Sequence, residues 1–322
     1  MRFAIACCLL LSVAGCGVGS FLVTPVTSPS ELKQVAVVDG DRSSKIAIIT
    51  VEGMLMDEQS GGGLLGMGPS ENPLSLFVQE LNEAAADDSI KAVVLRVNSP
   101  GGSVTTSDTM YDALQRFRAK THKPVVAAAQ ELDASGAYYV SCGADKIVVS
   151  PTSIVGSIGV IFESFDLEGT LDKLGAKSES IKSAPMKDMA SPFKHLTPEA
   201  REVMQGMVDE YFARFKNIVV SNRPIHDSTK FDLITDGRVF SGTRAVELGL
   251  ADQTGRLNDA IDLAAKMSNS VGGEVVMFKR PYGYSGSIYA TYDAPVPKSS
   301  ELNLNLPMSR WLPDGFYYLW QP

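Results

Sequence analysis

Pro124–Val149 reads P-V-V-A-A-A-Q-E-L-D-A-S-G-A-Y-Y-V-S-C-G-A-D-K-I-V-V, and the order of residue types in it sets the fold. Pro124–Ala129 is a short apolar run with two β-branched residues, fit for a buried strand. A small-residue turn follows at Ala134-Ser135-Gly136. From there Ala137, Tyr138, Val140 and Ala144 suit a helix of about two to three turns. Asp133 is placed to cap that helix, and Gly136 lets main chain pass close to a ligand. Lys146–Val149 then gives another strand. Ser135 therefore stands where a strand hands over to a helix and free backbone N–H groups gather. It is the candidate nucleophile, although a lone serine in this context equally suits a structural turn, so partners elsewhere must decide.

Outward from this stretch the same alternation repeats. Ile46–Val51 is a β-branched strand that Gly53 ends, and Leu74–Ala86 has apolar residues at helical spacing. Ile90–Val97 is a strand, followed by Asn98–Ser103, and Thr106–Lys120 is helical. Strand, helix, strand, helix, strand with short joins predicts right-handed βαβ units: an α/β fold with a parallel sheet covered by helices. Between the first strand and helix, the glycines of Ser60–Pro73 make a loop. No Gly-Lys-Ser/Thr follows them, so it is not a phosphate-binding loop. Beyond Val149, Pro151–Val160 is a crossing segment with close backbone contacts at its glycines. Asp166–Leu174 is helical, Lys177–Lys182 a short strand and Ser183–Leu196 irregular. Thr197-Pro198-Glu199 opens the longest helix, with Thr197 as cap and proline at the first position. Gly237–Leu250 and Arg256–Met267 add helical segments, and Glu274–Phe278 a final strand.

The chain has 322 residues, 44% of them hydrophobic, enough to bury a substantial core. Its net charge of -8 and lack of a Lys/Arg block exclude nucleic acid as the main partner. Arg2, the apolar run Phe3–Val13 and then Val13-Ala14-Gly15-Cys16 resemble a bacterial lipoprotein signal, with Cys16 as the lipidated residue. An ordinary cleaved signal peptide is the alternative, and the run is too short to span a bilayer. The expected organisation is a signal over residues 1–16, a tether over 17–44, a folded domain over 45–280 and a Pro/Gly/aromatic tail over 281–322. Such a chain is an exported lipoprotein of the cell envelope, its domain outside the cytoplasm and held to a membrane through Cys16. The aromatic end of the tail, Trp311–Trp320, suits a groove, a neighbouring subunit, a membrane interface or the same subunit. With Cys7 and Cys8 in the signal, Cys142 is left alone after processing and reads as a buried small hydrophobe.

A serine hydroxyl needs a base. His122 (T-H-K-P) and His226 (R-P-I-H-D) lie in loop contexts, whereas His195 shares a segment with Lys187 and stays open as a base. The other option is a neutral lysine. An ordinary ammonium is deprotonated in roughly one molecule in 2,500 at pH 7, so a lysine base needs burial that lowers its pKa by about 3 units. Lys187 has small or apolar neighbours in Ala184, Pro185, Met186, Met189 and Ala190, and Asp188 opposes the shift. Nothing in the pattern calls for a metal or a cofactor.

Five motifs in order, N-S-P-G-G-S (Asn98–Ser103), A-S-G-A-Y-Y (Ala134–Tyr139), G-A-D-K-I-V (Gly143–Val148), G-S-I-G-V (Gly156–Val160) and I-K-S-A-P-M-K-D-M-A-S-P (Ile181–Pro192), resemble the bacterial signal peptide peptidase A (protease IV) family over about Lys45–Met267. The resemblance implies a ClpP/crotonase-like fold and a Ser/Lys dyad endopeptidase, with Ser135 as nucleophile and Lys187 as general base. It implies further that the Gly102 N–H helps hold the oxyanion while Gly101 shapes the turn, and that Ser157 orients the lysine. Membrane-derived peptides such as signal-peptide remnants are the implied substrates. A homo-oligomeric ring with sites near subunit contacts is the implied assembly. Two residues depart from the family pattern: Ala137 replaces a glycine, and the acidic Asp133 stands two residues before the nucleophile. A non-catalytic, lipid-anchored peptide-binding scaffold of the same fold is the alternative, while acyl-CoA chemistry would need carboxylate pairs and a CoA loop.

Overall fold

A computed structural model describes residues 32–57, 72–225, 227–280 and 315–320. The expected lipid site Cys16, the glycine-rich loop at 58–71, His226 and most of the tail lie outside the described residues. The β-branched runs form a sheet in the order β1 (Lys33–Val38), β10 (Gly273–Lys279), β2 (Asp41–Leu55), β3 (Ile90–Ser103), β4 (Val125–Ala134), β5 (Lys146–Val149) and β9 (Gln253–Thr254). Every neighbouring pair is parallel except β1 with β10 at the edge.

Both faces of this sheet are covered, which is why its strands are apolar at nearly every position rather than alternating. Ile49, Val51, Val93, Leu95, Val97, Val125 and Ala127 point into one core, with Phe77 and Leu81 of α1 (Pro73–Ala86) and Met110, Leu114 and Phe117 of α2 (Val104–Thr121). Ile46, Ile48, Ala92, Val94, Val126 and Val148 point the other way, onto Leu257, Ala260, Ile261 and Ala264 of the helix Leu257–Met267. Each buried Val, Leu or Ile contributes about 1.5–3 kcal/mol, so a polar residue at either Val94 or Leu95 would open one core or the other.

The helices start where the sequence signals them. Asn72 caps α1 by accepting the Ser75 N–H at 3.0 Å, and Ser103 caps α2 by accepting that of Thr106 at 3.2 Å. Thr197 caps the long helix Pro198–Asn222, with proline in its first turn.

Several boundaries differ from expectation. Lys33–Val38 is an edge strand and β2 starts at Asp41, so the sheet takes in the end of the expected tether. Gly53 does not end its strand. At φ 65° it sits in a register shift between Glu52 and Met54, and β2 runs on to Leu55. Likewise β3 continues through the N-S-P-G-G-S segment, because Gly101 and Gly102 pair with Met54 and Leu55 of β2. The expected strand Lys177–Lys182 does not form: those residues are all exposed, and among the described residues no strand lies alongside to satisfy their backbone.

Above the carboxyl ends of the main strands a second storey is built from β6 (Ile154–Gly156), β7 (Ile161–Glu163), β8 (Val239–Ser241) and β11 (Gly315–Leu319). β6 pairs with the end of β4, and β8 pairs with β6. The aromatic tail comes back to its own subunit: β11 lies antiparallel between the end of β3 and β7.

Candidate active site

Ser135 stands between the end of β4 and the short helix α3 (Gly136–Ser141), which is shorter than the two to three turns expected. Its backbone has φ 54° and ψ −118°, a conformation unfavourable for a side chain with Cβ and characteristic of a strand-to-helix elbow that presents a nucleophile. The turn is held by the Ser135 N–H, which donates to the Gly156 carbonyl at 2.7 Å, and by the Tyr139 N–H, which donates to the Ser135 carbonyl at 2.9 Å. Strain of this kind persists only where the surroundings over-determine it. The Ser135 side chain is buried, and its Oγ has no hydrogen-bond partner among the described residues. A buried hydroxyl without a partner costs stability and marks a group kept for chemistry.

Two glycines crowd this elbow. Gly101 has φ 97°, and a Cβ there would stand 2.6 Å from the Gly136 nitrogen. A Cβ on Gly102 would stand 2.0 Å from the Leu55 carbonyl oxygen. Main chain from β3 thereby comes close to the turn just after Ser135, the kind of approach an oxyanion donor needs. Gly136 is equally constrained, its missing Cβ only 2.3 Å from the Ser107 Oγ. Ala137, one position on, has its methyl in the core, where a side chain is welcome.

The carbonyl that faces this glycine cluster belongs to Tyr318. A Cβ at Gly136 would lie 3.0 Å from the Tyr318 oxygen and 3.2 Å from the Gly102 nitrogen. Gly102 and Tyr318 are register partners, as are Gly101 and Leu319. The Trp320 N–H donates to the Pro100 carbonyl at 2.9 Å, and bonded pairs recur every second residue in an antiparallel ladder. Gly102 and Tyr318 face each other two residues further along this ladder. The Tyr318 ring is fully buried, stacked on Tyr139 at 5.1 Å between centroids and tilted against Phe215 at 4.8 Å. Its hydroxyl donates to the Tyr211 carbonyl at 2.8 Å. Asp108 anchors the pocket wall by accepting from the Tyr139 hydroxyl (2.6 Å) and from the Arg214 guanidinium at 2.8 and 3.0 Å.

Ser157 follows β6 with φ 50°, its N–H donating to the Arg238 carbonyl at 2.8 Å. It lines a cavity of about 690 Å³ with Ile161, Asp209, Phe212, Leu319 and Trp320. Lys187 is not hydrogen-bonded to Ser135 within the chain. It is exposed on the single 3₁₀ turn Pro185–Asp188, while the Ser135 Oγ is enclosed. Asp188, expected to oppose a neutral lysine, is occupied otherwise. Lys182 (2.6 Å) and Lys194 pair with its carboxylate and hold its pKa down to about 2.

The other expected groups fall into structural roles. His195 is exposed, with its Nδ1 against the Asp166 carboxylate and its N–H donating to Glu168 at 2.9 Å, so it is engaged away from Ser135. His122 terminates α2 in a left-handed conformation. Asp133 caps nothing: it lies fully buried in β4, accepts from the Ser141 Oγ at 3.0 Å, and burial raises its pKa to about 7. Cys142 is buried, and loss of solvation pushes its thiol up to about 12. The expectation that the aromatic end docks in a groove or on its own subunit is met by Gly315–Leu319, but sequence reasoning did not single out Tyr318 as the residue that enters the aromatic pocket. The signal available was G-F-Y-Y-L, a short run of strand-forming residues.

Among the described residues no helix is long and apolar enough to cross a membrane. Residues 117–271 match the model of peptidase family S49, and residues 65–152 match that of Clp protease. The chain is 34% identical over 247 residues to a protein of Methanocaldococcus jannaschii described as a protease candidate, covering 76% of this chain and 77% of that one. It is 33% identical over 250 residues to a signal peptide peptidase SppA candidate of Enterococcus faecium, covering 78% and 71%. Protease 4 of Salmonella typhi is 34% identical over 228 residues, which make up 71% of this chain and 35% of that one.

Proposed function

This chain belongs to peptidase family S49 and is a serine-type endopeptidase with a ClpP-like α/β fold, and from that premise we propose that Ser135 and Lys187 form its catalytic dyad, with the lysine supplied by a neighbouring copy. The observation that carries this reading is the mismatch within one chain: an enclosed Ser135 Oγ without a partner and an exposed Lys187. The segment bearing Lys187 also exposes Leu174, Ile181, Met186 and Phe193, apolar side chains that a second copy would cover. A head-to-tail contact repeated around a closed ring gives every serine a lysine. That contact would also supply the burial a lysine base requires.

In the proposed reaction the Ser135 Oγ attacks a peptide carbonyl while Lys187 takes its proton. The Gly102 N–H receives the developing oxyanion, with Gly101 keeping the main chain close. Lys187 then gives the proton to the leaving amine, and water resolves the acyl-enzyme by the same route. Ser157, beside the cavity, accepts a hydrogen bond from the lysine and aims it at Ser135. Lipidation at Cys16 would tether the domain to a membrane outside the cytoplasm, which suits peptides left in the membrane as substrates. The domain divisions proposed with it are a signal through Cys16, a tether to the first strand, and the peptidase domain.

Purified, assembled Ser135→Ala and Lys187→Ala proteins should each lose peptide cleavage, and a serine-directed acylating probe should label wild-type Ser135. Unchanged cleavage in either variant would reject the dyad.

A further inference from the structure

Two residues before the nucleophile stands a buried titratable side chain to which the proposed reaction gives no part, Asp133. Its register partners are Ser99 of β3, whose hydroxyl donates to the Gly53 carbonyl at 2.6 Å, and Val155 of β6. Oδ1 accepts from the Ser141 Oγ at 3.0 Å, while Oδ2 has no partner among the described residues. Ser141 is the last residue of α3, so this bond ties the far end of the helix back to β4 across the strained Ser135 turn. The tyrosines of α3 are moored elsewhere: the Tyr138 hydroxyl donates to the Leu250 carbonyl at 2.8 Å, and that of Tyr139 to Asp108. Strand and helix are thus clamped directly, on either side of the nucleophile, by Asp133 and Ser141.

Ionised, that carboxyl would have one donor and no cation. Arg223, at the end of the long helix, gives its hydrogen bonds to the Gly249 carbonyl at 3.1 Å and the Asp252 carboxylate at 2.9 Å instead. A dry carboxylate so poorly supported is far costlier than the neutral acid. Tyr138 and Cys142 keep their protons beside it, because burial lifts the phenol far above its ordinary value and the thiol up to about 12. Burial raises Asp133 only to about 7, so it alone among these groups changes charge near neutral pH.

We propose that Asp133 is a positioning residue for Ser135, clamping α3 to β4 through Ser141 as a neutral acid, and that its loss of a proton turns peptide cleavage down at alkaline pH. The proposal rests on the dyad assigned above. A carboxylate beside the elbow opposes the negative charge that builds on the oxyanion, and it favours the protonated form of the Lys187 amine. Both effects slow the attack, together by roughly 10-fold or more in kcat at the effective dielectric of a protein interior. The pH profile therefore has two limbs of different origin. It rises as Lys187 loses its proton and falls as Asp133 loses its own.

The kcat of the assembled full chain for peptide hydrolysis, followed from acid to alkaline pH, tests this. Wild type should give a bell. Asp133→Asn keeps an oxygen for Ser141 and cannot ionise, so it should retain the rising limb and lose the roughly 10-fold fall. Ser141→Ala removes the one donor that steadies the carboxylate, so its fall should move to higher pH, with kcat lowered more than KM is changed. A carboxyl that only filled space would leave the three profiles parallel. A wild type without an alkaline fall, or the same fall in Asp133→Asn, overturns the proposal. Should Asp133→Asn not assemble, an unmoved fall in Ser141→Ala overturns it. Any of these results with Ser135→Ala and Lys187→Ala inactive leaves the dyad standing, whereas cleavage that survives in either of those two variants overturns both.

Discussion

Mixing two inactive variants should restore activity. Ser135 lies enclosed in the groove of its own chain, and Lys187 lies on an exposed turn of the same chain. If each site takes its serine from one copy and its lysine from the next, a Ser135→Ala chain still offers a working lysine and a Lys187→Ala chain a working serine. Alone, each variant should fall by about 10⁴–10⁶ in kcat, the cost of removing a member of a catalytic unit. In a randomly co-assembled ring with equal amounts of both, a site is whole only when a Lys187→Ala chain is followed by a Ser135→Ala chain. That holds at about one contact in four for a head-to-tail ring, so activity should return to about a quarter of wild type. At nine to one in either direction it should drop to about a tenth. Co-expressing the chains with different affinity tags, purifying through both and measuring fluorogenic peptide hydrolysis reads this out. Mixed rings that stay as inactive as the single variants at every ratio would refute a dyad shared between copies.

Three further outcomes follow from the site's geometry. Gly102→Ala drives a Cβ to within 2.0 Å of the Leu55 carbonyl oxygen and disturbs the oxyanion donor, so kcat should fall by about 10²–10³ or more, measured on a protein shown to assemble. Asp133, with its pKa raised by burial from 3.8 to about 7, binds a proton more tightly in the folded than in the unfolded state. That stabilisation is complete below pH 3.8 and is lost as pH rises through 7. Asp133→Asn should therefore gain on wild type by up to about 4 kcal/mol between pH 4 and pH 8 in denaturant titrations, and parallel profiles would count against a buried, protonated carboxyl. Cys142, buried and with its thiol pushed up to about 12, should resist maleimide in the native protein and react only on unfolding.

Much of the architecture was legible along the chain because it rests on local chemistry. β-Branched runs at Ile46–Val51 and Ile90–Val97, the caps at Thr197 and Pro198, and apolar spacing in Leu74–Ala86 each express a preference that neighbouring residues enforce. The motifs around Ser135, Gly101, Gly102 and Ser157 were equally visible, and the structure gathers those four positions around one elbow and the cavity beside it. Expectations failed where a partner distant in sequence was decisive. N-S-P-G-G-S became strand because β2 and β11 lie against it, and Lys177–Lys182 did not because no strand among the described residues does. Asp133 looked like a cap but follows the strand inward to Ser141, since alternate residues of β4 face opposite ways.

By itself, then, the sequence determined the parallel α/β sheet, the strand-to-helix turn at Ser135 and the glycines that let main chain approach it, because periodicity and backbone conformation are properties of neighbouring residues. Only the tertiary structure decided that the last strand pairs Tyr318 with Gly102 and that Lys187 faces solvent, because both depend on which surfaces meet between segments far apart in the chain.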